Sequence, residues 1–330
     1  MVRILNAEPE DYSEEAFQVL QSIGEVVAEP VSQDCLAERV QGFDALIVRL
    51  HLRVTEEILA AADQLRVVVT ATTGLDHIDL ESAKKRGIKV VSLFGETEFL
   101  RTIPATAEHT WALLLALVRQ IPWAFYDVDQ GNWDRDRFRG HDLRGKRLGI
   151  LGLGRLGQQV ANYGSAFGMK VGAHDPFLNE WPAGVTPFKA LEDFLGWSEI
   201  LSIHLPLNRT TREFLNKERL QILPKGAWVV NTARGAVWDE QAVVDLLETG
   251  HLAGVAVDVL AEEQPAERRE QSPMLAYART HNNLLITPHI GGATIESMAM
   301  TEVFVARKLA QFLGIPRAKK QEYKTRKVYI

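Results

Sequence analysis

Short apolar runs alternate with amphipathic segments along most of this chain, and that alternation limits the folds open to it. Each run has strand length, and the stretches between runs have helical spacing. The pattern is typical of βαβ units and predicts α/β architecture with parallel sheets. Because 330 residues exceed what one hydrophobic core usually organises, two doubly wound domains are the economical interpretation. The predicted strands are residues 2–5, 45–48, 67–69 and 88–91 in a first series, and 147–151, 170–174, 200–204, 227–231, 254–257 and 284–286 in a second.

The sheet pattern lapses between residues 95 and 104, which predicts a domain boundary there. After the second series, the segment 294–313 again has helical spacing of apolar residues and can return to pack on the first domain. We therefore predict a discontinuous first domain, 1–103 plus 294–330, and a second domain over 104–293.

The segment 106–119 is predicted to be one helix, and it is apolar on nearly every face beyond its first turn. Such a helix is expected to be buried between layers or between subunits. We interpret it as a homodimer contact, and an ordinary interdomain core helix is the alternative.

Composition narrows the classes of function. With 43 acidic against 37 basic residues, the net charge of -6 disfavours a nucleic-acid surface. Cys35 is the only cysteine, so a single chain can form neither an internal disulfide nor a thiolate metal cluster, and a reducing cytoplasm fits best. The chain start lacks the pattern of a secretory signal, and the longest apolar stretch, 111–118, is too short to span a bilayer. We expect a cytoplasmic protein that binds neither nucleic acid nor membrane.

Two further features bear on ligands. The histidines show no His-Glu-x-x-His or comparable spacing, so no metal site is predicted. The basic segment 316–330 is interpreted as a solvated, partly disordered tail, with phosphate contact as the alternative.

A glycine-rich turn joins a predicted strand to a predicted helix. Gly152 permits a tight turn, Gly154 lets backbone approach a pyrophosphate, and Gly157 lets the helix pack close to the strand. Asp175 follows the next strand 18 positions after Gly157 (175 minus 157), near the roughly 20 expected for a carboxylate that binds the adenosine ribose. Because Asp175 would repel a 2′-phosphate, NAD is predicted over NADP. The alternative is a pair of tight turns without a ligand.

Three chemically distinct side chains also follow predicted strands. Arg234 can bind a carboxylate through two parallel hydrogen bonds, although a structural ion pair is the alternative. His289 can exchange a proton near neutral pH, and a carboxylate partner would orient its ring. Glu262 and Glu263 are both available for that partnership, and the apolar run alone does not separate them.

These motifs resemble the D-2-hydroxyacid dehydrogenase family over nearly the whole chain, with two Rossmann-like or flavodoxin-like domains and a cleft between them. The resemblance implies that the domain 104–293 binds NAD and the discontinuous domain binds substrate. In that family the glutamate lies five positions after a strand-ending aspartate, Asp258 here, which selects Glu263. The resemblance is carried by residues 152–157, Asp175, 204–206, 231–235, 258–263 and 287–289.

The resemblance also implies residue roles. Arg234 would orient the substrate's carboxylate and carbonyl, His289 would act as acid in reduction and base in oxidation, and Glu263 would support His289. Asp258 would contact the nicotinamide carboxamide. Backbone N–H groups of Thr73, Gly74 and Leu75 would bind the substrate carboxylate. The full set of implied cofactor-binding residues is Gly152, Gly154, Arg155, Leu156, Gly157, Asp175, His204, Pro206, Thr211, Thr232, Ala233, Arg234, Asp258, His289 and Gly291.

Departures from the family pattern concern the substrate. The segment before the apolar helix is longer than the family's compact, asparagine-containing one, and it adds Arg101 beside the expected cleft. Arg49 follows a strand where phosphoglycerate-type members carry a substrate-facing arginine. The two cations suggest a second anionic group on the substrate, and surface pairing with Glu96 or Glu98 is the alternative. The chain ends soon after the returning helix, so the sensing domain of many phosphoglycerate dehydrogenases is not expected.

The sequence thus predicts an NAD-dependent D-2-hydroxyacid dehydrogenase that interconverts a small 2-keto acid and its hydroxy acid. A phosphoglycerate-like, glycerate or dicarboxylic substrate fits the extra cations. The competing hypothesis is an NAD(H)-sensing scaffold like the corepressors that resemble this family. Formate dehydrogenases are disfavoured because they carry glutamine where this chain has Glu263.

Overall fold

A computed structural model describes residues 1–314, so the basic segment 316–330 lies outside the described residues. The described chain divides into two compact units, Met1–Glu96 with the helix that begins at Ile295, and Thr97–Thr294. Each unit is built on a parallel sheet. The strands are β1 (Arg3–Asn6), β2 (Glu25–Ala28), β3 (Ala45–Val48), β4 (Val67–Thr70), β5 (Lys89–Val91), β6 (Arg147–Leu151), β7 (Lys170–His174), β8 (Val185–Pro187), β9 (Ile200–Ile203), β10 (Ala227–Asn231), β11 (Leu252–Val257) and β12 (Leu284–Ile286).

The α-helices lie between the strands, as the alternation predicts, except for α14, which follows β12. They are α1 (Glu14–Ile23), α2 (Leu36–Arg39), α3 (Glu56–Ala61), α4 (Leu80–Lys85), α5 (Thr97–Leu100), α6 (Ala105–Val118), α7 (Ile121–Asp129), α8 (Arg155–Ala166), α9 (Leu191–Trp197), α10 (Lys217–Gln221), α11 (Glu240–Glu248), α12 (Ala266–Arg269), α13 (Pro273–Ala278) and α14 (Ile295–Phe312).

The first unit holds five strands in the order β2-β1-β3-β4-β5. Ile4 pairs with Ala45, which in turn pairs with Val67, and β3 and β4 are buried throughout. Continuous apolar runs of this kind are typical of central parallel strands covered on both faces. Edge strand β2 is absent from the sequence-based prediction because it is only partly buried and lacks an apolar run of that kind.

Helix α14 packs on α1 and on strands β4 and β5, within the first unit. Two ion pairs fix its last turns: Arg307 contacts Glu15 at 2.8 Å, and Lys308 contacts Glu96 at 2.6 Å. The apolar residues of α14 and its charged residues thus both attach this helix to the first unit.

The second unit holds seven strands in the order β12-β11-β10-β9-β6-β7-β8. Its core lies on both faces of the sheet, with β10 buried along its whole length. Strand β8 is absent from the prediction because it is short, mostly exposed and ends in proline. The predicted fold class, two α/β units with doubly wound parallel sheets, is confirmed.

The sequence pattern put the first division after residue 103, whereas the two units divide after Glu96. Side chains of α8 account for the difference. Arg155 donates to the carbonyl oxygen of Leu100 at 3.1 Å, and Gln159 donates to that of Arg101 at 3.3 Å. These bonds attach the segment 97–103 to the second unit.

Helix α6 is covered by its own unit, where it packs against α8, β10, β11 and β12. The homodimer contact predicted there is therefore not needed to account for its apolar faces. A group of exposed apolar side chains lies just beyond it, on α7 and the following loop, where Phe125 is 75% and Trp133 is 88% exposed. Within the described residues, no helix combines the length and apolarity that a membrane crossing requires.

Candidate active site

The three predicted catalytic side chains follow three adjacent strands of the second unit. Asn231, Val257 and Ile286 are aligned at the carboxyl ends of β10, β11 and β12. Arg234, Glu263 and His289 lie on the loops that leave those ends. Because neighbouring parallel strands end at the same edge, the loops converge in space.

His289 and Glu263 form a direct pair, with Nδ1 2.6 Å from Oε2. The other carboxylate oxygen of Glu263 accepts a bond from the backbone N–H of Leu260 at 3.2 Å. Glu262 instead faces Arg268 at 3.7 Å. The structure thus separates the two glutamates, which the sequence run left open.

Arg234 is held by its own loop. Its Nη1 donates to the carbonyl oxygen of Ala233 at 2.7 Å, while Asn231 donates from Nδ2 to the Arg234 carbonyl at 3.0 Å. The next residue, Gly235, lies so close to the Glu263 loop that an added Cβ would be 1.9 Å from the carbonyl carbon of Leu260. Glycine at 235 therefore lets the loops of β10 and β11 meet.

Asp258 is 2% exposed, and both of its carboxylate oxygens accept hydrogen bonds. Burial by itself raises the pKa of Asp258, but bonds from His109, Thr287 and the Ile290 and Gly291 N–H groups outweigh it and hold the pKa below its ordinary value. Asp258 is therefore a buried anion that organises the start of the loop after β12.

The backbone of His289 adopts φ of 56°, in the left-handed region that favours glycine. Its N–H donates to the carbonyl oxygen of Asp258 at 2.9 Å. A non-glycine residue in this region costs about 1–2 kcal/mol, so surrounding bonds must hold it there.

The glycine turn has the geometry expected of a dinucleotide site. Gly152 has φ of 89°, and a Cβ added at Gly157 would lie 2.2 Å from the Gly152 carbonyl oxygen. An added Cβ at Gly154 would meet nothing within 4 Å. The chain itself thus requires Gly152 and Gly157, whereas the space over Gly154 is open.

Asp175 lies beside that turn. Its carboxylate accepts from the N–H of Leu153 at 2.9 Å and from the N–H of Phe177 at 3.0 Å. Arg155 is turned to the carbonyl oxygens of Leu100 and Ile103, and burial lowers its pKa. Leu156 follows it in the first turn of α8.

The loop after β9 carries three further predicted cofactor residues. Burial lowers the pKa of His204 to about 4, and its Nε2 lies 2.8 Å from the hydroxyl of Ser202. Thr211 donates to the carbonyl oxygen of Pro206 at 2.6 Å, which closes the loop on itself. His204 is therefore a neutral ring at pH 7.

The predicted carboxylate-binding loop follows β4 in the first unit. Thr72 donates to the carbonyl oxygen of Gly74 at 2.7 Å, which constrains the turn containing Thr73, Gly74 and Leu75. A hydroxyl chain continues to Thr70, 3.0 Å from Thr72. The turn is thus fixed by Thr72, which is linked to Thr70, the last residue of β4.

Both predicted anion-binding arginines have carboxylate partners. Arg49 contacts Glu302 at 2.5 Å and donates to the Glu10 carbonyl at 2.6 Å. Arg101 contacts Glu98 at 2.8 Å on an exposed surface. The alternative of ion pairing is therefore present for each, including the Glu98 partner foreseen for Arg101.

Sequence reasoning missed His109. This residue lies in α6, and its Nε2 is 3.0 Å from the Thr287 hydroxyl and 3.2 Å from Asp258 Oδ1. The available signal was a polar residue in a helix otherwise apolar beyond its first turn. Within residues 1–314, no three His, Cys, Asp or Glu side chains are grouped so that they could hold a metal ion.

Comparison with known proteins identifies a family that this chain matches. Residues 111–291 match the model of the D-isomer specific 2-hydroxyacid dehydrogenase NAD-binding domain. A D-3-phosphoglycerate dehydrogenase of Methanocaldococcus jannaschii is 35% identical over 95% of this chain, which spans only 58% of that relative's length. A hydroxypyruvate reductase of Thermotoga maritima is 33% identical, with 88% of this chain and 92% of the relative aligned.

The fold comparison agrees. A D-lactate dehydrogenase from Aquifex aeolicus, solved with NAD and lactic acid, superposes with a TM-score of 0.80 and 26% identity, covering 95% of this chain and 96% of that one. The chain belongs to the D-isomer specific 2-hydroxyacid dehydrogenase family and carries that family's NAD-binding domain.

Proposed function

We propose that this protein is an NAD-dependent dehydrogenase that transfers a hydride between nicotinamide and C2 of a small 2-keto or 2-hydroxy acid. The observation that carries the proposal is the 2.6 Å pair of His289 and Glu263 beside the Arg234 loop. The reaction needs a proton donor for the substrate's oxygen and a binding site for its carboxylate. An oriented imidazole can donate the proton, and a guanidinium can bind the carboxylate. No observation favours the NAD(H)-sensing scaffold.

The glycine turn and Asp175 would hold the cofactor, which would supply the hydride as NADH in reduction and accept it as NAD+ in oxidation. Gly154 fits this assignment because the space above its backbone is open. The N–H groups at the start of α8 would contact the pyrophosphate. Asp175 would accept bonds from the adenosine ribose and repel a 2′-phosphate, which favours NAD over NADP.

His289 would carry the proton. Because Nδ1 is bonded to Glu263, the Nε2 position is the one left to exchange a proton with substrate. In reduction, the C2 carbon receives the hydride and its oxygen takes the proton from Nε2, leaving a neutral ring. In oxidation the same nitrogen accepts the proton. The Glu263 carboxylate, 2.6 Å from Nδ1, would fix the orientation of the ring.

Within the second unit, Arg234 is the residue proposed to bind the substrate carboxylate. Within the first unit, the proposed carboxylate-binding turn is Thr73, Gly74 and Leu75. A second anionic group on the substrate is also part of the proposal. It is supported by the name of one relative, D-3-phosphoglycerate dehydrogenase, and it requires Arg49 or Arg101 to exchange its carboxylate partner, Glu302 or Glu98, for the substrate. We place the reaction in the cytoplasm.

A substrate panel tests the activity. Purified protein is assayed with NADH or NADPH against glyoxylate, hydroxypyruvate, 2-oxoglutarate and phosphohydroxypyruvate. We expect turnover of at least one acid, with kcat/KM for NADH at least about 100-fold above that for NADPH because of Asp175. Tight NADH binding without turnover across the panel would contradict the enzyme and favour a sensing role. Equal efficiency with both cofactors would contradict the assignment of Asp175.

The second anionic group is tested with Arg101→Ala and Arg49→Ala. If either arginine contacts that group, its alanine variant raises KM for phosphohydroxypyruvate at least about fivefold, roughly 1 kcal/mol, and leaves KM for glyoxylate unchanged. Arg49→Ala is also expected to lower the free energy of unfolding by about 3 kcal/mol, because it leaves Glu302, 1% exposed, without its cation. Unchanged KM in both variants would remove the second anionic group from the proposal.

We further propose a homodimer that buries the exposed apolar side chains of α7 and the following loop. Phe125 and Trp133 are the most exposed apolar residues there, and Ile121, Tyr126 and Val128 on the same helix are exposed as well. Exposed apolar side chains grouped on one segment are typical of a protein–protein interface. Sedimentation is expected to give a dimer for the native chain and a monomer for Phe125→Asp. A native monomer, or a dimer unaffected by the substitution, would contradict this interface.

A further inference from the structure

The start of α6 contacts the ends of all three strands whose loops carry the proposed catalytic residues. Thr110 Oγ1 lies 2.7 Å from Thr232 Oγ1, just after β10. His109 Nε2 lies 3.0 Å from Thr287 Oγ1, just after β12, and 3.2 Å from Asp258 Oδ1, just after β11. These strands are neighbours in the sheet. One helical turn is therefore in a position to fix the three ends relative to one another.

We propose that His109 is a positioning residue for the proton-transferring His289, and that it acts through Asp258 and Thr287. The inference rests on the proposed function, because it takes His289 as the group that exchanges a proton with substrate. His109 itself is not proposed to touch substrate or cofactor, since its Nε2 is occupied by the two oxygens.

The hydrogen atoms at this junction can be assigned. The pKa of Asp258 is held below its ordinary value, and an ionised carboxylate has no proton and can only accept. The hydroxyl of Thr287 has one proton, and at 2.6 Å it donates that proton to Asp258 Oδ1. Thr287 Oγ1 must then accept from His109, so Nε2 of His109 carries a proton. His109 therefore donates to both residues in either its Nε2–H neutral form or its charged form.

Asp258 transmits this constraint to the next loop. Its two carboxylate oxygens accept from the N–H groups of Ile290 at 2.8 Å and Gly291 at 2.7 Å, and its carbonyl oxygen accepts from the N–H of His289 at 2.9 Å. Three consecutive N–H groups are thus bonded to one residue. This is the segment in which His289 holds its left-handed φ of 56°.

The packing around Gly291 leaves little room for another arrangement of these residues. A Cβ added at Gly291 would lie 2.8 Å from Asp258 Oδ2 and 3.5 Å from Cδ2 of His109. A side chain at 109 that cannot donate a hydrogen bond would leave Asp258 with one donor fewer and free Thr287 to reorient. The backbone at His289 would then relax toward less strained φ values, which moves the ring away from its productive orientation.

The test compares His109→Leu, which removes the donor, with His109→Gln, whose amide nitrogen can reach the same place. Glu108→Leu, an exposed neighbour on the same helix, is the matched control. We expect His109→Leu to lower kcat about 10–100-fold, as small misplacements of catalytic groups do, with the Kd for NADH within about twofold of native. His109→Gln is expected to retain kcat within about threefold, and Glu108→Leu to leave it unchanged.

A readout that needs no turnover separates this inference from the proposed function. Amide hydrogen exchange of Ile290 and Gly291 is expected to accelerate about tenfold or more in His109→Leu and to stay near native in His109→Gln. The N–H of Leu153, which is also bonded to a carboxylate in the same unit, serves as the reference and should not change. If native protein turns over none of the 2-keto acids, the proposed function fails while the exchange experiment still tests the positioning role.

Three outcomes overturn the positioning role. One is native kcat and native exchange in His109→Leu. Another is an equal loss of kcat in the leucine and glutamine variants, which would make the imidazole itself essential. The last is faster exchange of Leu153 in step with Ile290, which would indicate a general loss of stability.

Discussion

Replacement of His289 by asparagine is expected to lower kcat about 10³-fold, while the Kd for NADH changes by less than about threefold. A positioned general acid contributes about 10²–10⁴-fold, and asparagine cannot transfer a proton. Asparagine is also well tolerated in the left-handed backbone region that His289 occupies, so the variant should fold normally. Steady-state kinetics and NADH fluorescence titration measure the two quantities.

The glutamates supply a matched pair of controls for this prediction. Glu263→Gln removes the carboxylate 2.6 Å from Nδ1 and is expected to lower kcat about 10–100-fold. Glu262→Gln alters a residue that faces Arg268 and should leave kcat unchanged. Equal effects of the two glutamate variants, or near-native kcat in the histidine variant, would contradict the assigned roles.

Alanine at Gly157 is expected to destabilise the protein by about 3 kcal/mol, whereas alanine at Gly154 should leave stability within about 0.5 kcal/mol of native. The difference follows from what each new Cβ meets. At Gly157 it would lie 2.2 Å from the Gly152 carbonyl oxygen, so backbone must move, and at Gly154 it would meet nothing within 4 Å. Urea unfolding of both variants measures the two changes in the free energy of unfolding.

For cofactor affinity the order of the two variants reverses, and Gly154→Ala is expected to have the larger effect. Gly154→Ala places a methyl group where the proposed pyrophosphate approaches the backbone, so the Kd for NADH should rise at least about tenfold although the fold is intact. A variant with native stability and native affinity would show that no ligand uses the space above Gly154. A Gly157→Ala protein as stable as native would contradict the close helix packing.

Much of the fold follows from the sequence because parallel strands covered on both faces are continuous apolar runs. The bounds of β3, β6, β7, β10 and β12 agree with the predicted ones. Strands β2 and β8 escaped prediction because both are short and only partly buried, so neither forms a continuous apolar run. The faces of α6 were predicted to be buried, but an apolar pattern does not say whether the cover is the same subunit or another.

Part of the candidate site could likewise be predicted from the sequence, and part could not. Strand ends located Arg234 and His289 because chemistry at the carboxyl edge of a parallel sheet is readable as a polar residue after an apolar run. Glu262 and Glu263 were inseparable because adjacent loop residues share that signal, and only the hydrogen bond to His289 distinguishes them. His109 was missed since it reaches the site from a helix, where spacing reports burial and not partners.

Because the backbone at His289 is left-handed, a substitution that relieves this strain is expected to raise stability while it lowers activity. Glycine would adopt φ of 56° without strain, so His289→Gly should ease the local conformation even as it abolishes proton transfer. Screens that select only for thermal resistance are therefore expected to tolerate or enrich changes here, and variants recovered that way should be checked for turnover before they are used as catalysts.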